Sequence, residues 1–148
     1  MKILVTGAAG FIGYNLCKSL VKDKFQVLGI DNLNSYYDPA LKLARLSQIK
    51  SNNNFTFEKA DITDREALAK LFQTFRPQKV INLAAQAGVH YSIQNPYAYL
   101  DSNLTGFLNI LELCRYNEVE GLVYASSSSV YGANKKIPFS TDDQTDHP

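Results

Sequence analysis

The sequence predicts an α/β protein built on a doubly wound parallel sheet, with its strands in the order 3-2-1-4-5. Three observations carry that prediction. Short apolar runs alternate with longer amphipathic stretches along the whole chain. The runs are apolar continuously rather than at every second residue, as strands covered on both faces are. The first of them also passes straight into a glycine turn. Right-handed crossovers then impose the strand order and put any ligand crevice at the carboxyl ends of the strands.

Ile3 to Val5 makes the first strand, and Ile12, Leu16 and Leu20 mark one face of the following helix. Strand 2, Val27-Leu28-Gly29-Ile30, ends at Asp31; a polar, aromatic loop from Asn32 to Pro39 leads to a helix around Leu41 to Ile49. Asn52-Asn53-Asn54 signals a turn before strand 3, Phe55-Thr56-Phe57. Thr63 and Glu66 fit a capping box opening a helix with Leu68, Leu71, Phe72 and Phe75 at helical spacing. Pro77 closes that region ahead of strand 4, Val80-Ile81-Asn82-Leu83. Asn95 and Pro96 suit an N-cap and a first helical position. The helix they open carries Leu100, Leu104, Phe107, Leu108, Leu111 and Cys114 on one face. Leu122 to Ala125 is the fifth strand, expected to be buried.

Composition narrows the function classes. Of 148 residues, 45% are hydrophobic and 20% charged, and the net charge is +1, ordinary values for a globular chain long enough to bury a core. Lys135-Lys136 is the one adjacent basic pair, so nothing motivates a nucleic-acid partner. The two cysteines, Cys17 and Cys114, sit at apolar helical positions and read as buried thiols of a reducing compartment. With His90 and His147 the only histidines, no ligand set for a metal is expected. The first apolar run breaks at Thr6-Gly7, unlike a secretory segment, and no stretch could span a bilayer. A cytoplasmic protein without a membrane partner is expected.

Four segments carry chemistry. Gly7-Ala8-Ala9-Gly10-Phe11-Ile12-Gly13 joins a buried strand to a helix, a junction that brings bare N–H groups and a helix N-terminus against a pyrophosphate. Its spacing, G-x-x-G-x-x-G, differs from the usual G-x-G-x-x-G, and such junctions also use glycine for packing alone; the strand before and the helix after favour a dinucleotide. Asp31 follows Gly7 by roughly two dozen residues, near the ~20 expected of an acid that binds the adenosine ribose. A carboxylate there accepts from both ribose hydroxyls and repels a 2′-phosphate, favouring NAD over NADP; a loop aspartate capping a turn is the alternative. Asp61-Ile62 could hold adenine by its amino group and its face. The small residues of Leu83-Ala84-Ala85-Gln86-Ala87-Gly88 would admit a flat ligand or simply pack a loop. After strand 5, Ser126-Ser127-Ser128-Ser129-Val130-Tyr131-Gly132 offers four hydroxyls suited to a polyol.

These segments resemble the extended short-chain dehydrogenase/reductases that act on nucleotide sugars, a family with a Rossmann-like fold. More narrowly, Asp31 to Asp38, Ala84 to Val89 and Ser126 to Asn134 are similar to UDP-glucuronate 4-epimerases of the capsule-associated type. The likeness covers essentially the whole chain. It implies an NAD-dependent epimerase acting through transient oxidation at C4, and a homodimer. It makes Ser127 the catalytic hydroxyl and has Ser126 and Ser128 hold the sugar and its carboxylate. It lines the NAD site with Gly7, Gly10, Phe11, Ile12, Gly13, Asp31, Asn32, Asp61, Ile62 and Leu83 to Gln86 (Leu83, Ala84, Ala85, Gln86), supported by Ser102 and Asn103.

Two positions depart from the family pattern. Asn82 stands where relatives usually have His, and His90 where they usually have Arg. His90 is then either a weakened partner of an anionic substrate or a polar loop residue. The family's base is a tyrosine in Tyr-x-x-x-Lys lying after the serine strand. Tyr14 with Lys18 falls too early, and Tyr131 with Lys135 falls in the loop where relatives do not use the tyrosine. The resemblance therefore reads residues 1–148 as an amino-terminal cofactor-binding domain, cut after strand 5, without the base or the substrate lobe. A non-catalytic NAD-binding module or another epimerase or decarboxylase of the same superfamily is the competing reading.

Overall fold

The computed structural model describes residues 1–145, so His147 and the last residues of the expected domain lie outside the described residues. Five parallel strands form one sheet: β1 (Lys2–Thr6), β2 (Gln26–Asp31), β3 (Phe55–Lys59), β4 (Lys79–Asn82) and β5 (Gly121–Tyr124). They lie in the order β3-β2-β1-β4-β5, as the sequence predicts. The core is split by the sheet, and the two-residue period of a strand does the splitting. Ile3 and Val5 of β1 face α1 (Phe11–Lys22) and α2 (Pro39–Ser47) with Tyr14, Cys17, Val21 and Leu46. Leu4, between them, joins Leu28, Ile30 and Val80 on the other face, under Leu68 and Phe72 of α3 (Arg65–Phe75). Covering on both faces is why these strands read as unbroken apolar runs.

Helix α3 starts one residue later than the sequence suggests. Its N-cap is Asp64, whose Oδ1 accepts from the Ala67 N–H at 3.0 Å. Thr63 instead turns toward Asp61, its N–H and hydroxyl both donating to Asp61 Oδ1, at 2.9 and 2.7 Å. Asn95 does cap as expected, accepting from the Ala98 N–H.

The helix after Asn95 is not continuous. A short α4 (Val89–Gln94), absent from the sequence reading, precedes α5 (Pro96–Tyr99). A π-helical segment, Leu100–Gly106, then leads into α6 (Phe107–Tyr116). The wide turns shift the buried face, so Gly106, Ile110, Leu113 and Cys114 point inward. Of the expected stripe, Cys114 is buried and Phe107 half-buried, but its leucines face out, with Leu100 48%, Leu104 61%, Leu108 57% and Leu111 39% exposed. Strand β5 also differs: it pairs with β4 alone among the described strands, and Val123 and Tyr124, which point to opposite faces of the sheet, are both exposed. No helix among the described residues is long and apolar enough to cross a membrane.

Phe72, fully buried in the α3 face, tests this packing. Phe72→Ala is expected to cost about 3–5 kcal/mol in chemical denaturation, the range for a large core truncation; a loss below ~1 kcal/mol would place Phe72 outside the core.

Candidate functional site

The carboxyl end of β1 is set by one side chain. Thr6, with no exposed surface, donates its hydroxyl to Asn82 Oδ1 at 2.6 Å. Thr6 Oγ1 in turn accepts from the Leu83 and Ala84 N–H groups at 3.1 and 2.9 Å. The chain then turns at Gly7, at φ +67, where a Cβ would lie 2.9 Å from the Ala84 nitrogen. At Gly13 a Cβ would stand 2.1 Å from the Gly7 oxygen, so only glycine lets α1 pack this close. Gly10 precedes α1 with no side-chain cap, and the first turn has no acidic residue. Its orphan N–H groups and the positive end of the helix dipole suit an anion.

At the end of β2, Asp31 is 8% exposed and multiply held. Its Oδ2 accepts from the Ala9 N–H at 3.2 Å, and its Oδ1 from the Leu33 N–H at 2.9 Å. Lys42 of α2 approaches Oδ1 at 3.4 Å with a second bond to Asn34 Oδ1 at 3.0 Å. Asp31 thus does shape its own turn, with Leu33 in the left-handed region at φ +55. Asn32 donates to Asp61 Oδ2 at 2.8 Å, while Thr63 holds the other oxygen. Burial pushes the Asp61 carboxyl up, but the bonds from Asn32 and Thr63 outweigh it and leave the group below its ordinary value of 3.8. Ile62 lies beneath Gly106, where a Cβ would stand 2.5 Å from the isoleucine side chain.

The loop after β4 is clamped from the π-helical segment. Asn103 Oδ1 accepts from the Gln86 N–H at 2.9 Å and its Nδ2 donates to the Gln86 oxygen at 3.0 Å. Gly7, Gly10, Asp31, Asn32, Ile62, Leu83 to Gln86 and Ser102 line a single cleft over these strand ends. Gly13, Asp61 and Asn103 support its wall without lining it. Phe11 and Ile12 do not line it either; they open α1 with 71% and 65% of their surface exposed. The glycine cradle, the uncapped helix start and the bonded carboxylate together fit a dinucleotide.

A second hollow shares Leu83 to Gln86 with the first and extends past Tyr99, Phe107 and Tyr124 to Ser126 and Ser127. Ser127 precedes a 3-10 turn, Ser128–Tyr131; its Oγ accepts from the Ser129 N–H at 3.2 Å and donates to Ser129 Oγ at 3.1 Å. Ser126 to Ser129 are all exposed, and Ser128 does not line the hollow. His90 is exposed on α4 and lines neither hollow, whereas Asn82 is buried as the acceptor of the Thr6 hydroxyl. Tyr14 is spent on Gln48 at 2.8 Å, and Tyr131 stacks on Phe139 with centroids 4.6 Å apart.

Burial pushes the Cys17 thiol up to about 12 and the Cys114 thiol up to about 11, so neither is a nucleophile near neutral pH. Among the described residues no three His, Cys, Asp or Glu side chains gather as metal ligands.

Sequence reasoning missed Tyr36, Tyr37, Asn34 and Lys42 as lining residues. For Lys42 a signal existed. It shares a helical stripe with buried Leu46 and Ile49, an unusual place for a lysine unless an acid waits there.

A glycine turn seated on β4, an acid ending β2 and a hydroxyl run after β5 are the working parts of an extended short-chain dehydrogenase/reductase. The chain belongs to the GDP-mannose 4,6 dehydratase family within that class, whose family model matches residues 4–148. Protein CapI of Staphylococcus aureus is 54% identical over 148 residues, which are 100% of this chain and 44% of CapI. UDP-glucuronate 4-epimerase 1 of Arabidopsis thaliana is 48% identical over 149 residues, 100% of this chain and 34% of that enzyme. The crystal structure of UDP-glucuronic acid 4-epimerase from Bacillus cereus, in complex with UDP-glucuronic acid and NAD, superposes with a TM-score of 0.85. It is 36% identical, over 99% of this chain and 46% of that one. The chain spans less than half the length of each of these relatives.

The Asp61 clamp has a pH signature. Because the folded-state carboxyl is lowered, its contribution is full above the unfolded value of 3.8 and fades as pH falls through the folded value. Denaturation followed from pH 7 to pH 3 should show a constant gap between wild type and Asp61→Asn at the upper end, about pH 5 and above, that narrows below about pH 4. A gap independent of pH would mean that the charged form of Asp61 does not hold this corner.

Proposed function

We propose that this chain is the cofactor-binding half of an NAD-dependent nucleotide-sugar 4-epimerase, interconverting UDP-glucuronate and UDP-galacturonate. One observation carries the reading: the cleft suited to a dinucleotide and the hollow ending at Ser127 share the Leu83 to Gln86 wall. A flat ring on that wall would face both. The named activities of the Arabidopsis and Bacillus relatives support the same reading.

NAD, when bound, supplies a hydride acceptor that is restored within each cycle. Around it, the Gly7 to Gly13 turn, with Phe11 and Ile12 at the helix start, gives N–H groups to the pyrophosphate. Asp31 and Asn32 take the ribose hydroxyls, and Ile62 takes the adenine face, with Asp61 holding Asn32 in place behind it. Ser102 and Asn103 keep the wall in place.

Ser127 donates to the C4 oxygen of the sugar. Oxidation there makes a β-keto acid, which loses CO₂ once its carboxylate bond aligns with the carbonyl π-system. Ser126 and Ser128 hold the carboxylate out of that alignment. Neutral hydroxyls suit this task because they restrain without acting as strong acids. They also separate this reading from dehydration, for which Ser128 and Ser129 leave no carboxylate beside Ser127.

In the full-length protein, Ser127→Ala is expected to lower turnover of UDP-glucuronate about a hundredfold, as for one lost donor to a developing oxyanion. Ser128→Ala should instead raise the share of decarboxylated pentose product, read by mass spectrometry. Unchanged turnover in the first, or no pentose in the second, overturns the assigned role.

The outward stripe of Leu100, Leu104, Leu108 and Leu111 suits pairing with a second copy of α6. Leu104→Glu with Leu108→Glu is expected to convert a homodimer to a monomer in light scattering. A dimer that survives both changes overturns the pairing.

A further inference from the structure

Asp31 is not a lone carboxylate. Lys42 and Asp31 are buried together at the ribose end of the cleft, with side chains only 6% and 7% exposed. Lys42 Nζ lies 3.4 Å from Asp31 Oδ1, 3.0 Å from Asn34 Oδ1 and 5.0 Å from the Tyr37 ring. Arg45, one turn along α2, donates to the Tyr37 hydroxyl at 3.0 Å and to the Ala9 oxygen at 3.3 Å. Two cations and one carboxylate therefore meet on Tyr37 and the Ala9 to Asp31 corner. The other nearby acids are occupied elsewhere: Asp61 binds Asn32 and Thr63, and exposed Asp38 caps α2 through the Ala40 N–H.

Repulsion by an acid at the end of β2 is the physical basis for rejecting a 2′-phosphate. That repulsion depends on the charge of the whole corner, and here a buried ammonium offsets part of it. Lys42 and Asn34 line the cleft beside Asp31, so the ammonium is within the same wall that a 2′-substituent of the ribose would meet. A phosphate dianion gains more from that cation than a neutral hydroxyl does.

We propose that Lys42 is a specificity-determining residue, which weakens the preference for NAD over NADP that Asp31 alone would impose. The proposal rests on the dinucleotide reading of the cleft and adds the electrostatic balance that sets its selectivity. Lys42 acts on the ratio of the two affinities, a quantity that a purely structural role would leave alone.

Calorimetry of NAD and NADP binding to the full-length protein tests it without any turnover. In Lys42→Met the NAD-to-NADP affinity ratio should rise at least about tenfold, the scale of one hydrogen bond to a charged group. Asn34→Asp, at an exposed position, puts a second carboxylate on Lys42 and should shift the ratio in the same direction should the methionine variant not fold. That shift should shrink as salt is raised. NAD binding with an unmoved ratio, or a ratio moved toward NADP, overturns the role of Lys42 alone. Failure of the wild type to bind either dinucleotide overturns the cofactor reading and this inference with it.

Discussion

The hydroxyl of Thr6 is the joint on which both hollows depend. A hydroxyl has one proton to give and two lone pairs to receive with, and Thr6 uses all three on β4 and its exit loop. This ties the glycine turn after β1 to the small-residue loop after β4, the two segments that flank the point where the sheet reverses its winding. Gly7 then lies so near Leu83 and Ala84 that a single added carbon would collide with their backbone. Without the hydroxyl, buried Asn82 and two half-buried N–H groups would lose their partner. Each such loss costs about 1–3 kcal/mol.

That joint also explains Asn82, which the resemblance marks as a departure. Its Oδ1 takes the threonine proton, so Asn82 belongs to the support of the site. The reciprocal bonds between Asn103 and Gln86 do similar work from the opposite side, and the π-helical segment supplies them. The wall between the two hollows is therefore pinned at both ends, at Leu83 by β1 and at Gln86 by the helix.

The sheet was legible because strands covered on both faces leave unbroken apolar runs, and chirality then leaves few ways to order them. Exposure was less legible, because it depends on neighbours that local sequence does not name. Leu122 to Tyr124 looks like any buried strand, yet β5 has one neighbour and its outer residues face solvent. The leucines from Leu100 to Leu111 recur with helical spacing, but a π-helical segment interrupts the helix and rotates that stripe outward. The candidate cleft shows the same division. Glycines and the Asp31 carboxylate are signalled by spacing, whereas the apolar stripe marks Lys42 as unusual without naming its partner, Asp31, which the tertiary fold brings to it.

The two hollows differ physically in a way that bears on their use. The end proposed for adenosine is built from mutually bonded groups: the buried Asp31–Lys42 pair, the half-buried Asn32–Asp61 bond and buried Thr6. A ligand there meets a surface already ordered, so little side-chain entropy is lost on binding. The serine end is exposed, and Ser127 bonds only to Ser129 beside it. In the proposed reaction those hydroxyls would exchange that local bond for one to a sugar oxygen at small cost, and exchange it again as the sugar turns over. A rigid hold on one ligand and a replaceable hold on the other are what a cofactor retained through many substrate reorientations would require.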